Sequence, residues 1–174
     1  MKDKFIRDEI YTLSWSAAVG RSQTYRENIG ESKRKEIKNF VKSFIDNNII
    51  FSYQTVVNDK THNQNIINLS NEVSKKFSKV LYNSRFRIGT SQKVLNLYLK
   101  YLWCMDKIQT PPHCPIDKII LDILAKKSFK DQRSIFKISW TKLDDIDKYF
   151  EIIEEARTIV GKDLSTWELK DWSS

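Results

Sequence analysis

One lysine and one aspartate in the middle of the chain are of types that could do chemistry together. Lys93 is predicted to lie in the first turn of a helix, four residues after Gly89. A lysine amine can attack a sugar carbon and form a Schiff base. Asp117 follows 24 residues later, after a Pro-Pro-His-Cys-Pro loop and at the predicted start of another helix. If this loop folds back, the Asp117 carboxylate can stabilise positive charge on the sugar or move a proton.

Both residues also have ordinary structural interpretations. A lysine on a helix is most often a solvated surface side chain, and an aspartate just before a helix is a good N-cap. The capping role and the chemical role of Asp117 are compatible, so the predicted helix start alone does not decide between them.

The turn before Lys93 has the composition of an anion-binding site. Gly89 permits the tight connection that two consecutive helices need, and Ser91 is predicted to cap the second helix. The free N–H groups of that helix would then point outward at a bound anion. A turn that presents both amides and cations suits one DNA phosphate. The predicted DNA-binding residues are Arg85, Arg87, Ile88, Gly89, Thr90 and Ser91.

Helical periodicity predicts the elements that must position these residues. The scarcity of glycine (4) and proline (3) disfavours both turn-rich β folds and glycine-dependent dinucleotide-binding folds. Residues 49–58 are β-prone, but a lone strand would lack a partner, so a loop or one helical turn is expected there. We expect one compact all-α domain over residues 1–174. The predicted helices are Lys4–Val19, Glu31–Asn48, Asn65–Tyr82, Ser91–Met105, Asp117–Lys127 and Leu143–Val160, the last ended by Gly161.

The net charge of +8 is distributed unevenly along the chain. Residues 61–142 carry 15 basic and 5 acidic side chains, whereas residues 143–174 carry 4 basic and 9 acidic ones. A basic middle segment followed by an acidic end favours a polyanion-binding face. A charge that only keeps the protein in solution would have the same sign, so charge alone leaves both interpretations open.

Three further residues, Cys104, His113 and Cys114, have side chains that bind metals. A structural zinc site needs four ligands, and a cysteine-ligated iron–sulfur cluster also needs four. Packing is therefore the favoured interpretation, and neither a metal nor an organic cofactor is expected. Two cysteines without a signal peptide indicate a reducing, cytoplasmic location. No apolar stretch of membrane-spanning length is present, so no membrane partner is expected.

The stretch from Asn83 to Leu124 resembles the helix-hairpin-helix DNA glycosylase superfamily, in particular its compact archaeal 8-oxoguanine branch. The segment IGTSQK (88–93) has a glycine four residues before a lysine, as the family does, and Pro115-Ile116-Asp117 matches the segment that supplies the family's aspartate. The sequence departs from the family at Ser91, which replaces the second hairpin glycine, and at Val94-Leu95, which replaces Thr-Ala. The gap between lysine and aspartate is longer than the common one.

The resemblance implies a helix-hairpin-helix motif at about residues 65–105 and a DNA glycosylase with AP lyase activity. In the family the lysine attacks C1′ of a flipped nucleotide and the aspartate assists, so Lys93 and Asp117 are the expected catalytic residues. The expected partner is double-stranded DNA with a damaged or modified base, bound by a monomer, in DNA repair or antiviral defence. The alternative is a non-catalytic DNA-binding module, which would grip phosphates and need neither residue.

An enzyme that flips a base out of DNA also needs an aromatic or apolar clamp for it. Most of the five tryptophans are expected in the core because of their size. Trp15 and Trp140 lie nearest to polar stretches and are the predicted clamp residues. In the loop 20–30, Gln23 and Tyr25 could read a base edge, although the loop can equally be a surface connection.

Overall fold

The computed structural model describes residues 1–129, 131 and 133–172. In this part of the chain the regular structure is helical, apart from one β-bridge between Tyr25 and Leu81. The predicted all-α class is confirmed. The described α-helices are α1 (Lys2–Val19), α2 (Glu31–Asn48), α3 (Asp59–Phe77), α4 (Ile88–Cys104), α5 (Lys118–Lys127), α6 (Ile146–Val160) and α7 (Leu164–Trp172).

Helix α3 lies earlier in the chain than its apolar spacing predicts. It begins at Asp59 rather than Asn65 because the Asn58 side chain accepts a hydrogen bond from the Thr61 N–H, at 2.9 Å, and caps the helix. It ends at Phe77, and the chain then reaches α4 through residues 78–87. Helices α3 and α4 pack against each other.

Helix α4 begins at Ile88, three residues before the predicted start at Ser91. The predicted capping role of Ser91 is therefore wrong. Its side chain is fully buried inside the first turns, and its hydroxyl has no hydrogen-bond partner among the described residues. Because of the earlier start, Lys93 lies in the second turn rather than the first.

Helix α4 is central to the core. Its residues Val94, Leu95, Tyr98 and Leu99 are completely buried, and α1, α3 and α6 all pack against it. The Tyr98 ring meets the Tyr11 ring of α1 edge-on, with centroids 5.5 Å apart. A helix that is surrounded on several sides holds its side chains in fixed rotamers, so its polar residues are placed precisely.

The chain after α5 returns to the start of α4 in a short 3₁₀ turn, Trp140–Lys142. The Gly89 N–H donates to the Leu143 carbonyl at 2.8 Å. A Cβ atom at position 89 would lie 1.8 Å from the Trp140 carbonyl oxygen, so this contact requires glycine. The close approach fixes Trp140 beside the first turns of α4.

The connection between α2 and α3 is partly helical. Residues Ile50–Gln54 form a short 3₁₀ helix, so the second of the two alternatives predicted there, a loop or one helical turn, is confirmed. Helix α6 begins at Ile146, capped by Asp145, rather than at Leu143, and Gly161 ends it with a φ of 98°. Helix α7 follows and was not predicted.

None of the described helices combines the length and the apolar character that crossing a membrane requires.

Candidate active site

The fold brings Lys93 and Asp117 into direct contact. The Lys93 Nζ lies 2.7 Å from the Asp117 Oδ2, and the two side chains are only 9% and 16% exposed. Lys93 extends from the central helix α4, and Asp117 is the N-cap of α5, where its Oδ1 accepts from the Ile120 N–H at 3.1 Å. One carboxylate oxygen thus caps a helix while the other holds the lysine. The structural and chemical roles of Asp117 are compatible in this geometry.

Gln92 fixes the residue that precedes Asp117. Its amide nitrogen donates to the Ile116 carbonyl at 2.6 Å, and its side-chain oxygen accepts from the Ile116 N–H at 3.1 Å. Gln92 is completely buried and is the neighbour of Lys93 on α4. Gln92 and Lys93 of α4 therefore hold the consecutive residues Ile116 and Asp117. This double attachment sets the distance between the Lys93 amine and the Asp117 carboxylate.

Asn96 continues this contact one helical turn further along α4. Its amide nitrogen donates to the Cys114 carbonyl at 3.2 Å and to the Tyr149 hydroxyl oxygen at 3.0 Å. The Tyr149 hydroxyl is also 3.0 Å from the Nδ1 of His113, in the same loop. Asn96, His113 and Tyr149 are all buried, so each of these hydrogen bonds satisfies a polar group that would otherwise be costly.

The chain of hydrogen bonds ends at an ion pair near the surface. The His113 Nε2 lies 2.8 Å from the Asp59 Oδ1, and Arg157 binds both oxygens of Asp59, at 2.7 and 2.9 Å. Hydrogen bonds from His113 and Arg157 hold the pKa of Asp59 well below its usual value. Burial lowers the pKa of His113, so its imidazole is neutral at pH 7.

The three residues considered as metal ligands therefore have separate surroundings. His113 belongs to this hydrogen-bond chain, Cys114 is buried with a thiol pKa raised by desolvation, and Cys104 is exposed. Across residues 1–129, 131 and 133–172, no group of three or more His, Cys, Asp or Glu side chains is arranged to hold a metal ion.

The Lys93–Asp117 pair lies in the wall of a pocket of about 470 Å³, which we call the reaction pocket. A second ion pair lines it: the Lys100 Nζ is 2.6 Å from the Glu168 Oε2, with side chains 12% and 5% exposed. Lys100 is two helical turns after Lys93 and therefore on the same face of α4. The remaining lining residues are Ala17, Arg21, Leu97, Tyr101, Cys104, Ile119, Trp140 and Leu169.

One of the four predicted base-pocket residues lines this pocket. This residue is Trp140, whose backbone is held beside α4 by its contact with Gly89. Trp15 does not line the pocket: it is buried in the core, with its ring stacked on Phe86 at 6.2 Å between centroids, because its side of α1 faces inward. Trp15 is therefore not placed to clamp a base in this pocket.

The loop residues Gln23 and Tyr25 are also outside the lining of the reaction pocket. Tyr25 forms the β-bridge with Leu81, and its ring lies 5.2 Å from the Arg34 guanidinium. Gln23 is exposed two residues earlier in the same loop. In this structure the loop is a surface connection, which was the other interpretation of its sequence.

The predicted phosphate site at the start of α4 is not formed. The first two amides of α4 already have partners, since the Gly89 N–H donates to the Leu143 carbonyl and the Ile88 N–H donates to the Asp144 carboxylate at 3.1 Å. The segment 140–144 covers the turn, which sequence spacing could not reveal. The four turn residues are buried, namely Ile88, Gly89, Thr90 and Ser91.

The two predicted DNA-binding arginines of this turn also have partners within the protein. Arg85 contacts the Asp144 carboxylate at 3.0 Å, and Arg87 donates to the Thr141 carbonyl at 3.0 Å. Both cations therefore tie the turn to the covering segment. Asp144 partly neutralises the charge of Arg85, whereas Arg87 donates to a neutral carbonyl and keeps its charge.

Neither a family model, a curated protein nor a solved structure matches this chain. The site must accordingly be interpreted from its own geometry. Sequence reasoning missed four of its polar residues, which are Gln92, Asn96, Lys100 and Glu168. A signal for three of them exists, because Gln92, Asn96 and Lys100 are polar positions in a helix whose other residues are mostly apolar.

Proposed function

We propose that this protein is a DNA glycosylase with AP lyase activity that acts on a flipped damaged or modified nucleotide. The observation that carries the proposal is the 2.7 Å contact between the Lys93 amine and the Asp117 carboxylate in the wall of a 470 Å³ pocket. The two residues come from elements that are 24 positions apart, and buried hydrogen bonds fix them together.

The proposed reaction uses the two side chains in turn. Asp117 accepts a proton from the Lys93 ammonium, and the freed amine attacks C1′ of the sugar. The Nζ–C1′ bond forms as the bond from C1′ to the base breaks, and the base leaves with the bonding electrons and takes up a proton. Asp117 gives its proton to the departing base, and the carboxylate that this restores stabilises the positive charge that develops on the sugar. The attached amine then loses a proton, which Asp117 passes to O4′ as the C1′–O4′ bond breaks, so the opened sugar is an imine of Lys93. Asp117 next takes a proton from C2′, and the 3′ phosphate leaves with the bonding electrons; this β-elimination breaks the strand.

The second ion pair gives the pocket a means of holding the base. Lys100 supplies hydrogen-bond donors and Glu168 supplies acceptors, side by side, at a separation of 2.6 Å. A base edge with a carbonyl oxygen next to an N–H group would pair with both. Trp140 lines the same pocket and, although it is only 5% exposed, contributes an aromatic side chain to its wall.

Trapping of the imine tests the proposal. Borohydride reduces the imine to a stable protein–DNA adduct, which is counted on gels across a panel of duplexes that each carry one modified base. The wild-type protein should form adducts with only the duplexes whose base it excises. Lys93→Gln should abolish these adducts. Lys107→Gln is the matched control, because Lys107 is an exposed lysine just beyond the end of α4 and outside the reaction pocket.

Two outcomes would contradict parts of the proposal. Full excision of a proven substrate base by Lys93→Gln would refute the nucleophile assignment and leave an activated water, with Asp117 as its base. Absence of excision and of adducts across the whole panel, with intact DNA binding, would favour the non-catalytic DNA-binding module instead. Adducts with an abasic site do not count, because many exposed amines attack it.

A further inference from the structure

A second cavity, which we call the basic groove, adjoins the reaction pocket. It has a volume of about 890 Å³ and is formed by α5, the chain after it and the end of α1. Its lining contains one carboxylate, Asp122, and five basic side chains, which are Arg21, Lys118, Lys126, Arg133 and Lys137. Four of these five belong to the strongly basic segment 61–142. A concave surface of this composition concentrates positive potential.

Most of this positive charge is not neutralised within the protein. Lys118 pairs with Asp122 at 2.9 Å, but both side chains are more than half exposed. Arg133 donates to the Ser128 carbonyl, which leaves its charge in place. Arg21, Lys126 and Lys137 form no ion pair among the residues that the structure describes. The groove therefore has an excess of about four positive charges, estimated by counting its lining residues.

The groove and the reaction pocket share two lining residues, Arg21 and Trp140. A long polyanion that lies in the groove therefore contacts residues that also line the pocket of Lys93 and Asp117. The start of α4 is less suited to its phosphates, because the Ile88 and Gly89 amides donate to the segment 140–144 and the turn is buried. Part of that same segment, Trp140 and Thr141, forms a wall of the groove.

We propose that the basic groove binds the sugar–phosphate backbone of duplex DNA and delivers one nucleotide to the reaction pocket. This inference rests on the proposed function for its choice of polymer. The groove takes over the phosphate contacts that the sequence assigned to the turn at residues 85–91. Lysine and arginine side chains bind phosphates without regard to base sequence, so the groove supplies affinity and the pocket supplies selectivity.

A second lysine cluster on the protein provides a matched comparison. It lies where the first turns of α2 meet the end of α3, and its lining includes Lys33, Lys75, Lys76 and Lys79. It shares no lining residue with the reaction pocket. If net charge alone caused DNA binding, both clusters would contribute equally. If the groove is the binding site, only the groove lysines should contribute to DNA affinity.

The test measures how steeply affinity for an unmodified duplex falls with salt. Each phosphate contact contributes about 0.9 to the slope of log K against log salt concentration. The groove variant Lys118→Gln/Lys126→Gln/Lys137→Gln should make this slope shallower, reducing its magnitude by about 2 to 3. The control variant Lys33→Gln/Lys75→Gln/Lys79→Gln removes the same charge and should leave the slope within about 1 of wild type. Circular dichroism establishes that both variants are folded.

The results separate the groove from the proposed reaction. If the salt slope falls equally in the two triple variants, or falls only in the control variant, the assignment of the groove as the DNA-binding site is overturned. Duplex RNA bound more than tenfold more tightly than duplex DNA would overturn the choice of polymer. Absence of borohydride adducts would contradict the glycosylase proposal while a groove-specific salt slope still stood. Adducts together with an unchanged slope in the groove variant would refute the groove and leave the glycosylase proposal intact.

Discussion

A double-mutant cycle on Lys93 and Asp117 measures whether their contact exists in solution. Asp117 uses one oxygen for the Ile120 N–H and the other for the lysine, at 3.1 and 2.7 Å. Asp117→Asn retains only one oxygen, so it can cap α5 or accept from Lys93 but not both. If the cap is kept, the amide nitrogen faces the ammonium, and two donors then oppose each other in a nearly buried site.

The expected energies follow from the burial of the pair. Removing one partner of a buried ion pair costs about 3–5 kcal/mol. Because the side chains are 9% and 16% exposed, some water reaches them, and we expect about 2–3 kcal/mol for Asp117→Asn. Lys93→Met leaves a carboxylate that still caps α5, and we expect about 1 kcal/mol. The double variant removes the mismatch and should lose only about 1 kcal/mol, which gives a coupling of about 2–3 kcal/mol.

Urea unfolding of the four proteins measures these free energies. The decisive expectation concerns which variant has the higher free energy of unfolding: the double variant should be more stable than Asp117→Asn alone. A cycle on Lys118 and Asp122 is the control, because that pair is exposed and its coupling should stay below about 0.5 kcal/mol. Additive losses at Lys93 and Asp117 would refute the contact, and with it the geometric basis of the proposed reaction.

Two further perturbations test the surroundings of the site. Gly89→Ala places a Cβ 1.8 Å from the Trp140 carbonyl and should destabilise the protein by about 3 kcal/mol or more in urea unfolding, whereas Gly30→Ala, with open space around it, should cost less than about 1 kcal/mol. Burial lowers the pKa values of His62 and His113 below the usual 6.5, so the unfolded chain takes up protons first as the pH falls. Stability should therefore drop below pH 6.5 by up to about 1.4 kcal/mol per pH unit for each histidine, and urea midpoints that stay constant from pH 7 to pH 5 would contradict this.

The fold class and most helices could be predicted because apolar spacing reports which face of a helix is buried. Helix ends were less predictable, since they depend on single capping contacts such as Asn58 with Thr61. Helix α7 was missed because its nine residues, from Leu164, have little amphipathic pattern. A short helix of this kind is held by its tertiary contacts, which spacing along the chain does not reveal.

The Lys93–Asp117 contact could be predicted because the lysine and the aspartate each have a local sequence signal. By contrast, the sequence could not predict that the turn at Gly89 is covered, because the covering segment 140–144 lies about 50 residues later. The exposure predicted for that turn was an assumption about tertiary structure. Glycine has the same sequence signature whether it makes room for a phosphate or for another part of the chain, and here it makes room for Trp140.

The loop before Asp117 is held more firmly than a helix cap requires. Prolines remove three N–H donors from residues 111–115, so the loop cannot stabilise itself by regular backbone hydrogen bonds. Four of its backbone carbonyls, within residues 111–116, instead accept from side chains of three helices: Ser165 of α7, Arg157 of α6, and Asn96 and Gln92 of α4. An N-cap alone needs only one aspartate oxygen next to its own helix. The additional anchoring fixes Asp117 with respect to α4, and the side chain of α4 that the second aspartate oxygen meets is Lys93. Such preorganisation lowers the cost of bringing an amine and a carboxylate together at a reacting carbon, and it supports the proposal that the pair is a reaction centre rather than a structural ion pair.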